Sequence, residues 1–186
     1  MRYANLKKRD IANGPGVRVS LFVSGCRHRC PGCFNAEAWD FSYGLPFDEK
    51  AEAEVLEGAK PAYIAGLSLL GGEPFEPENR GRLSALVGQF RARYPEKTVW
   101  CYTGFLWEEL YKEKEARPLL EKLDVLVDGR FIEAERDASL LFRGSRNQRI
   151  LSVPASIKAG QAVWLAGIWE RKMGSGNIEE GSGSDA

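Results

Sequence analysis

The spacing of hydrophobic positions changes along the chain, and the changes predict its elements. Val17, Val19, Leu21 and Val23 alternate with Arg18, Ser20 and Phe22, the pattern of a strand. The turn cluster Asn13-Gly14-Pro15-Gly16 precedes it. Phe47-Asp48 reads as a helix start, with Asp48 as N-cap and the helix running to about Gly58. Ala65 to Leu70 is a short apolar strand ending in Gly71-Gly72-Glu73-Pro74. Leu83, Leu86, Val87, Phe90 and Tyr94 recur at helical spacing, and that stripe is core. Thr98 to Tyr102 is strand-like and ends at Thr103-Gly104. Trp107, Leu110 and Tyr111 begin another helix, interrupted at Pro118 and resumed to Leu123. Asp124 to Val127 is a strand ending at Asp128-Gly129, and Arg149 to Val153 is a later one.

Strands and helices alternate, which predicts an α/β domain with a mainly parallel sheet. In such sheets a ligand lies outside the carboxyl ends of the strands. Each predicted strand end here is polar or Gly-rich, so four ends converging on one rim would make one site.

The chain has 186 residues, 44% of them hydrophobic, which suits one domain with a real core. We expect that domain over residues 1–172, and a disordered tail over 173–186, where Gly, Ser and acids dominate. Lys+Arg 26 against Asp+Glu 26 gives no net charge, so nothing points to nucleic acid or an anionic membrane. No apolar run approaches the roughly 20 residues of a membrane span, and the amino terminus lacks a signal-peptide core. The expected location is the cytoplasm.

The cysteines sharpen the picture. Cys26, Cys30 and Cys33 lie within one loop directly after the first predicted strand, and Cys101 is far away. That crowding suits a metal site in a reducing compartment better than a disulfide framework. Three thiolates on one loop can hold three corners of a four-iron cube and leave the fourth iron open, whereas electron carriers close all four. The bland alternative is a structural zinc site in a non-catalytic module, with His28 as fourth donor. His28 lies only two residues from Cys26 and from Cys30, so wrapping all four around one ion would strain the loop.

The loop Cys26-x3-Cys30-x2-Cys33, followed by Asn35 and then by Gly71-Gly72-Glu73-Pro74 after the next strand, resembles the radical SAM superfamily. Asn13 to Arg18, Cys30-Pro31-Gly32-Cys33, Asp124 to Phe131, Phe142 to Ser145 and Asn147 to Arg149 are similar to the activases of anaerobic ribonucleoside-triphosphate reductase. The resemblance implies a partial, open β/α barrel. It implies a 4Fe-4S cluster on Cys26, Cys30 and Cys33 as the catalytic and metal-binding residues. It further implies S-adenosylmethionine chelated to the open iron and cleaved reductively to a 5′-deoxyadenosyl radical, which makes a glycyl radical on the reductase large subunit. A flavodoxin-like or other low-potential reductant would supply the electron. Gly32, Cys33 and Phe34 would lie beside the adenine, and Gly72 and Glu73 at the methionine amino group. An activase of pyruvate formate-lyase or another glycyl-radical enzyme is the alternative within this chemistry. There an acidic residue is expected before the threonine matching Thr103; here that position is Tyr102, which argues against a cation site of that kind, and against a part for Asp128 in one.

Several other residues have ordinary default readings. Cys101 between Trp100 and Tyr102 reads as a buried, inert strand cysteine. His28, the sole histidine, reads as a solvated loop residue. Arg143, Arg146 and Arg149 read as a solvated face, with contact to the ligand carboxylate or to the partner as the sharper hypothesis. Phe34, Trp39 and Phe41 read as core, or else as part of a docking face.

Overall fold

The computed structural model describes residues 1–167; the end of the expected domain and the whole expected tail lie outside the described residues. In chain order the elements are β1 (Arg2–Asp10), β2 (Val17–Val23), β3 (Leu45–Pro46), α1 (Glu49–Ala59), β4 (Ile64–Gly71), α2 (Pro77–Arg93), β5 (Thr98–Tyr102), α3 (Trp107–Lys112), α4 (Arg117–Leu120), β6 (Val125–Asp128), β7 (Arg149–Ser152) and α5 (Val153–Ala159). The strands form one sheet in the order β3-β1-β2-β4-β5-β6-β7.

The α/β class holds, but the sheet is mixed rather than mainly parallel. β2, β4, β5 and β6 are mutually parallel, while β1 is antiparallel to both β2 and β3, and β7 is antiparallel to β6. Connection type explains the difference. Helices α1 and α2 carry two of the crossovers, which a parallel pair needs. β1 reaches β2 through the short turn 11–16, and β7 is reached through a long loop, 129–148, that holds only a short 3-10 turn at Glu133–Glu135, so both can reverse direction. β1 escaped the sequence pattern because Lys7, Lys8 and Arg9 sit on a half-exposed strand whose charges blunt the sheet margin. The start of α5 was read as the end of a strand. There the Ser152 hydroxyl accepts from the Ala155 N–H and Gly160 ends the helix in the left-handed region.

Strand alternation gives the sheet two different faces. Val19, Leu21, Leu67, Leu69, Val99, Cys101 and Leu126 point to the helices and join Val55, Leu83, Leu86, Phe90 and Trp107 in the main core. Burying each large apolar side chain contributes about 1.5–3 kcal/mol, so this face anchors the fold. The opposite face carries Arg18, Ser20 and Phe22 beside Gly66, Ser68 and Leu70, then Trp100, Val125, Val127 and Ile150. Arg18 is fully buried there. Its guanidinium donates to Ser68 Oγ at 2.8 Å, Thr98 Oγ1 at 3.0 Å, Leu67 O at 2.9 Å and Thr98 O at 2.8 Å. Burial lowers its pKa to about 10, so it stays charged at neutral pH. Ser68 Oγ in turn donates to Asn13 O at 2.6 Å, which ties the 11–16 turn to this face.

Candidate iron-sulfur and ligand site

The cysteine loop leaves the carboxyl end of β2, and the ends of β4 and β5 lie beside it. Gly72 N–H donates to Val23 O at 2.7 Å and Glu73 N–H to Gly25 O at 2.8 Å, so the Gly71–Pro74 turn is sewn to the start of the loop. Arg29 (φ 46°) and Gly32 (φ 69°) take the left-handed region, which bends the loop back on itself. Cys26, Cys30 and Cys33 are free thiols at intermediate exposure, whereas Cys101 is buried in the core as expected.

The loop suits a cluster in its donor chemistry. Burial pushes the Cys26 thiol up to about 11 and also raises Cys30. Backbone N–H groups of His28 and Arg29 face Cys26, and that of Phe131 faces Cys30, each favouring the thiolate against that burial. A bound cation overrides such shifts, because a coordinating thiol loses its proton outright. Among the described residues no three Cys, His, Asp or Glu side chains close on one point as a single ion requires. A cube needs its ligands at separate corners.

Glu73 is the structural knot of the site. It is 1% exposed. Oε1 accepts from Phe75 N–H at 2.9 Å and Thr103 Oγ1 at 2.8 Å, and Oε2 accepts from Gly104 N–H at 2.8 Å. The carboxylate is spent on protein donors, and the main chain of Glu73 is engaged as well, its N–H on Gly25 O and its C=O accepting from Asn79 Nδ2 at 3.0 Å and Glu76 N–H at 3.2 Å. The same holds for Gly72. A Cβ there would stand 2.6 Å from Gly25 O and 3.0 Å from Ala38 O, so backbone fills the space, not an open ligand pocket. We expect Gly72→Val to push the cysteine loop away and lower iron content several-fold after anaerobic reconstitution. Overpacking of this kind costs about 1–3 kcal/mol or more. Full iron content in that variant would show that the loop tolerates the shift.

Several functional neighbours were missing from the sequence reading. His28 is not solvated: its side chain is 6% exposed, with Nε2 3.1 Å from Glu73 Oε2. Arg27 N–H donates to Glu76 Oε1 at 2.8 Å, its guanidinium pairs with Glu76 and Glu78, and it lies 4.4 Å from the Phe41 ring centroid. Glu76 is itself buried. Its place just beyond Pro74 was the one available signal. Phe41 packs on Gly25, while Phe34 is 92% exposed beside Cys33.

A cavity of about 570 Å³ opens beside Cys33 on the sheet face away from the helices. Phe22, Leu70 and Tyr102 line it from the sheet, Gly32, Cys33 and Phe34 from the loop, and Arg136, Phe142 and Arg143 from the 129–148 segment. Gly72 and Glu73 do not line it. The arginines divide. Arg149 is committed to Asp128, at 2.9 and 2.5 Å, and to Glu108. Asp128 also accepts the Trp107 N–H at 2.8 Å and so caps α3, which makes it a strut between elements. Arg146 pairs loosely with Asp137 at 3.4 Å on the surface. Arg143 alone of the three lines the cavity.

Comparison with known proteins agrees with this arrangement. The family model for a 4Fe-4S single cluster domain matches residues 12–151. A protein of Pasteurella multocida (strain Pm70) is 44% identical over 152 residues, covering 81% of this chain and 96% of its own. One of Enterobacteria phage T4 is 41% identical over 152 residues, covering 82% and 94%. One of Escherichia coli (strain K12) is 40% identical over 150 residues, covering 80% and 96%. Each of the three is named anaerobic ribonucleoside-triphosphate reductase-activating protein. With a cysteine loop at the rim of a parallel strand set and matches of this length, the chain belongs to the 4Fe-4S single cluster domain family and, within it, to the anaerobic ribonucleoside-triphosphate reductase-activating proteins.

Proposed function

We propose that the protein is a radical SAM activase that generates a glycyl radical on anaerobic ribonucleoside-triphosphate reductase. Family membership together with the three free thiols at the rim carries this reading. In it, Cys26, Cys30 and Cys33 hold a 4Fe-4S cluster, and the parallel strands β2, β4, β5 and β6 form part of an open barrel of the radical SAM type. When bound, the reduced cluster supplies one electron to S-adenosylmethionine, so that the sulfonium bond breaks and a hydrogen atom leaves a glycine Cα of the partner, giving methionine, 5′-deoxyadenosine and a glycyl radical.

The chain's own residues bind and orient. The Gly72–Glu73 turn lies at the edge that receives the methionine amino group, and the Glu73 carboxylate holds that turn still. Gly32, Cys33 and Phe34 flank the adenine. Arg143, on the far wall of the cavity, suits the ligand carboxylate. The exposed Phe34 ring marks the side open to a partner. A low-potential flavodoxin-like protein is the electron donor of choice. Among the described residues no helix is long and apolar enough to cross a membrane. The cytoplasm, where thiols stay reduced, is the proposed setting.

The test is direct. Reduced, reconstituted protein mixed anaerobically with S-adenosylmethionine and the large subunit of anaerobic ribonucleoside-triphosphate reductase should yield a glycyl-radical signal on the subunit. A pyruvate formate-lyase partner should yield none. A signal only with the latter would move the protein to the alternative activase class.

A further inference from the structure

His28 is buried without an evident reason. It lies inside the arm between Cys26 and Cys30, yet its ring turns inward from the loop. The ring meets Phe105 edge-on at 4.5 Å between centroids and 68° between planes. A Cβ on Gly104 would stand 2.4 Å from His28 Cδ2, so the position opposite has room only for glycine. Nε2 points at Glu73 Oε2 from 3.1 Å, though not along a hydrogen-bond direction, and finds no other partner.

The acceptor count on Glu73 gives the contact meaning. A carboxylate offers about four lone-pair sites. Phe75 N–H, Thr103 Oγ1 and Gly104 N–H take three of them, and His28 Nε2 approaches Oε2 to 3.1 Å without meeting it along a hydrogen-bond direction. Arg27 repeats the arrangement one residue earlier, with its N–H on the buried Glu76. Of the two residues after Cys26, Arg27 is therefore bonded to a buried carboxylate of the segment that follows Gly72, and His28 faces another at 3.1 Å.

We propose that His28 is a positioning residue: through Glu73 it locks the Cys26–Cys30 arm of the loop to the Gly72–Glu73 main chain, and so sets the distance between cluster and S-adenosylmethionine. This rests on the reading of Gly72 and Glu73 as part of the ligand site. Packing alone would be met by any aromatic ring in that slot. A buried ring nitrogen costs free energy where nothing polar faces it, and Glu73 Oε2 at 3.1 Å is the polar atom that Nε2 faces, which a ring without nitrogen would not need.

The experiment compares full-length His28→Phe and His28→Gln with the parent chain. Phe keeps the ring and removes the link; Gln keeps a donor and removes the ring. Iron content is measured after reconstitution. Binding is read from the change in the reduced cluster's electron paramagnetic resonance spectrum as S-adenosylmethionine is added. Backbone hydrogen exchange of residues 26–30 is followed in the metal-free chains. We expect His28→Phe to need about tenfold more S-adenosylmethionine for the half-maximal spectral change, the scale of one polar contact to a buried carboxylate. Its 26–30 amides should exchange faster, and His28→Gln should stay near the parent in both readouts. Loss of iron in His28→Phe alone would also support the lock. Parent-like behaviour of His28→Phe, or equal damage in both variants, overturns it. If the parent's spectrum does not respond to S-adenosylmethionine, the ligand reading fails, and the exchange comparison still judges His28.

Discussion

Replacing Cys26, Cys30 or Cys33 singly by alanine is expected to remove the cluster and abolish S-adenosylmethionine cleavage, while Cys101→Ala keeps both. Each loop thiol holds one corner in the proposed site, and no other cysteine is near enough to substitute. Cys101 faces the helix side of β5 within the apolar core, and burial raises its thiol well above the ordinary range. Trimming it leaves a small void, which costs on the order of 1–2 kcal/mol. That is a fraction of a domain stability of roughly 5–15 kcal/mol. The two classes of variant should therefore differ in kind: brown or colourless protein for the loop, a slightly lower unfolding midpoint for Cys101. Equal iron loss in Cys101→Ala would make it a ligand and end the open-corner argument.

Glu73→Ala should be the most damaging single change outside the cysteines. It strips the acceptor from Phe75 N–H, Thr103 Oγ1 and Gly104 N–H at once. Each buried donor left unmet costs about 1–3 kcal/mol, so the total reaches about 3 kcal/mol or more. The loss falls where the ends of β4 and β5 join under the cysteine loop. Iron retention should fall along with stability. Glu73→Gln should lie between, since its carbonyl can still accept while its NH₂ confronts another donor. Urea unfolding of the metal-free chains measures the first effect and iron content the second. An unchanged midpoint in Glu73→Ala would mean that water replaces the carboxylate and that the knot is not structural.

Much of this site could be read along the chain because its chemistry is local. The cysteine spacing lies within one loop, and Gly71 to Pro74 follows a plain apolar strand. The strand cores of β2, β4, β5 and β6 announced themselves by apolar runs and alternation. β1 did not, because it pairs through backbone at the sheet margin and carries charge outward. His28 was misjudged for a related reason. A lone polar residue between arginines looks solvated, and only the approach of β4 and β5 supplies Glu73, Gly104 and Phe105 to bury it.

The sequence by itself determined the α/β class and the family resemblance, and it singled out the cysteines proposed as donors, since these depend on residue type and short spacing. Tertiary structure decided how each of these residues is engaged. Gly72 is a glycine because the Gly25 carbonyl presses on it, a contact between segments far apart in the chain. The Glu73 side chain is withdrawn from ligand contact by donors that arrive from β5. Arg149 and Asp128 neutralise one another across β6 and β7, while Arg143 lines the cavity with its guanidinium donating to Gln148 O at 2.6 Å. Hydrogen bonds and close contacts between distant segments have no periodic trace in a sequence. They exist only once the hydrophobic face of the sheet has brought those segments together.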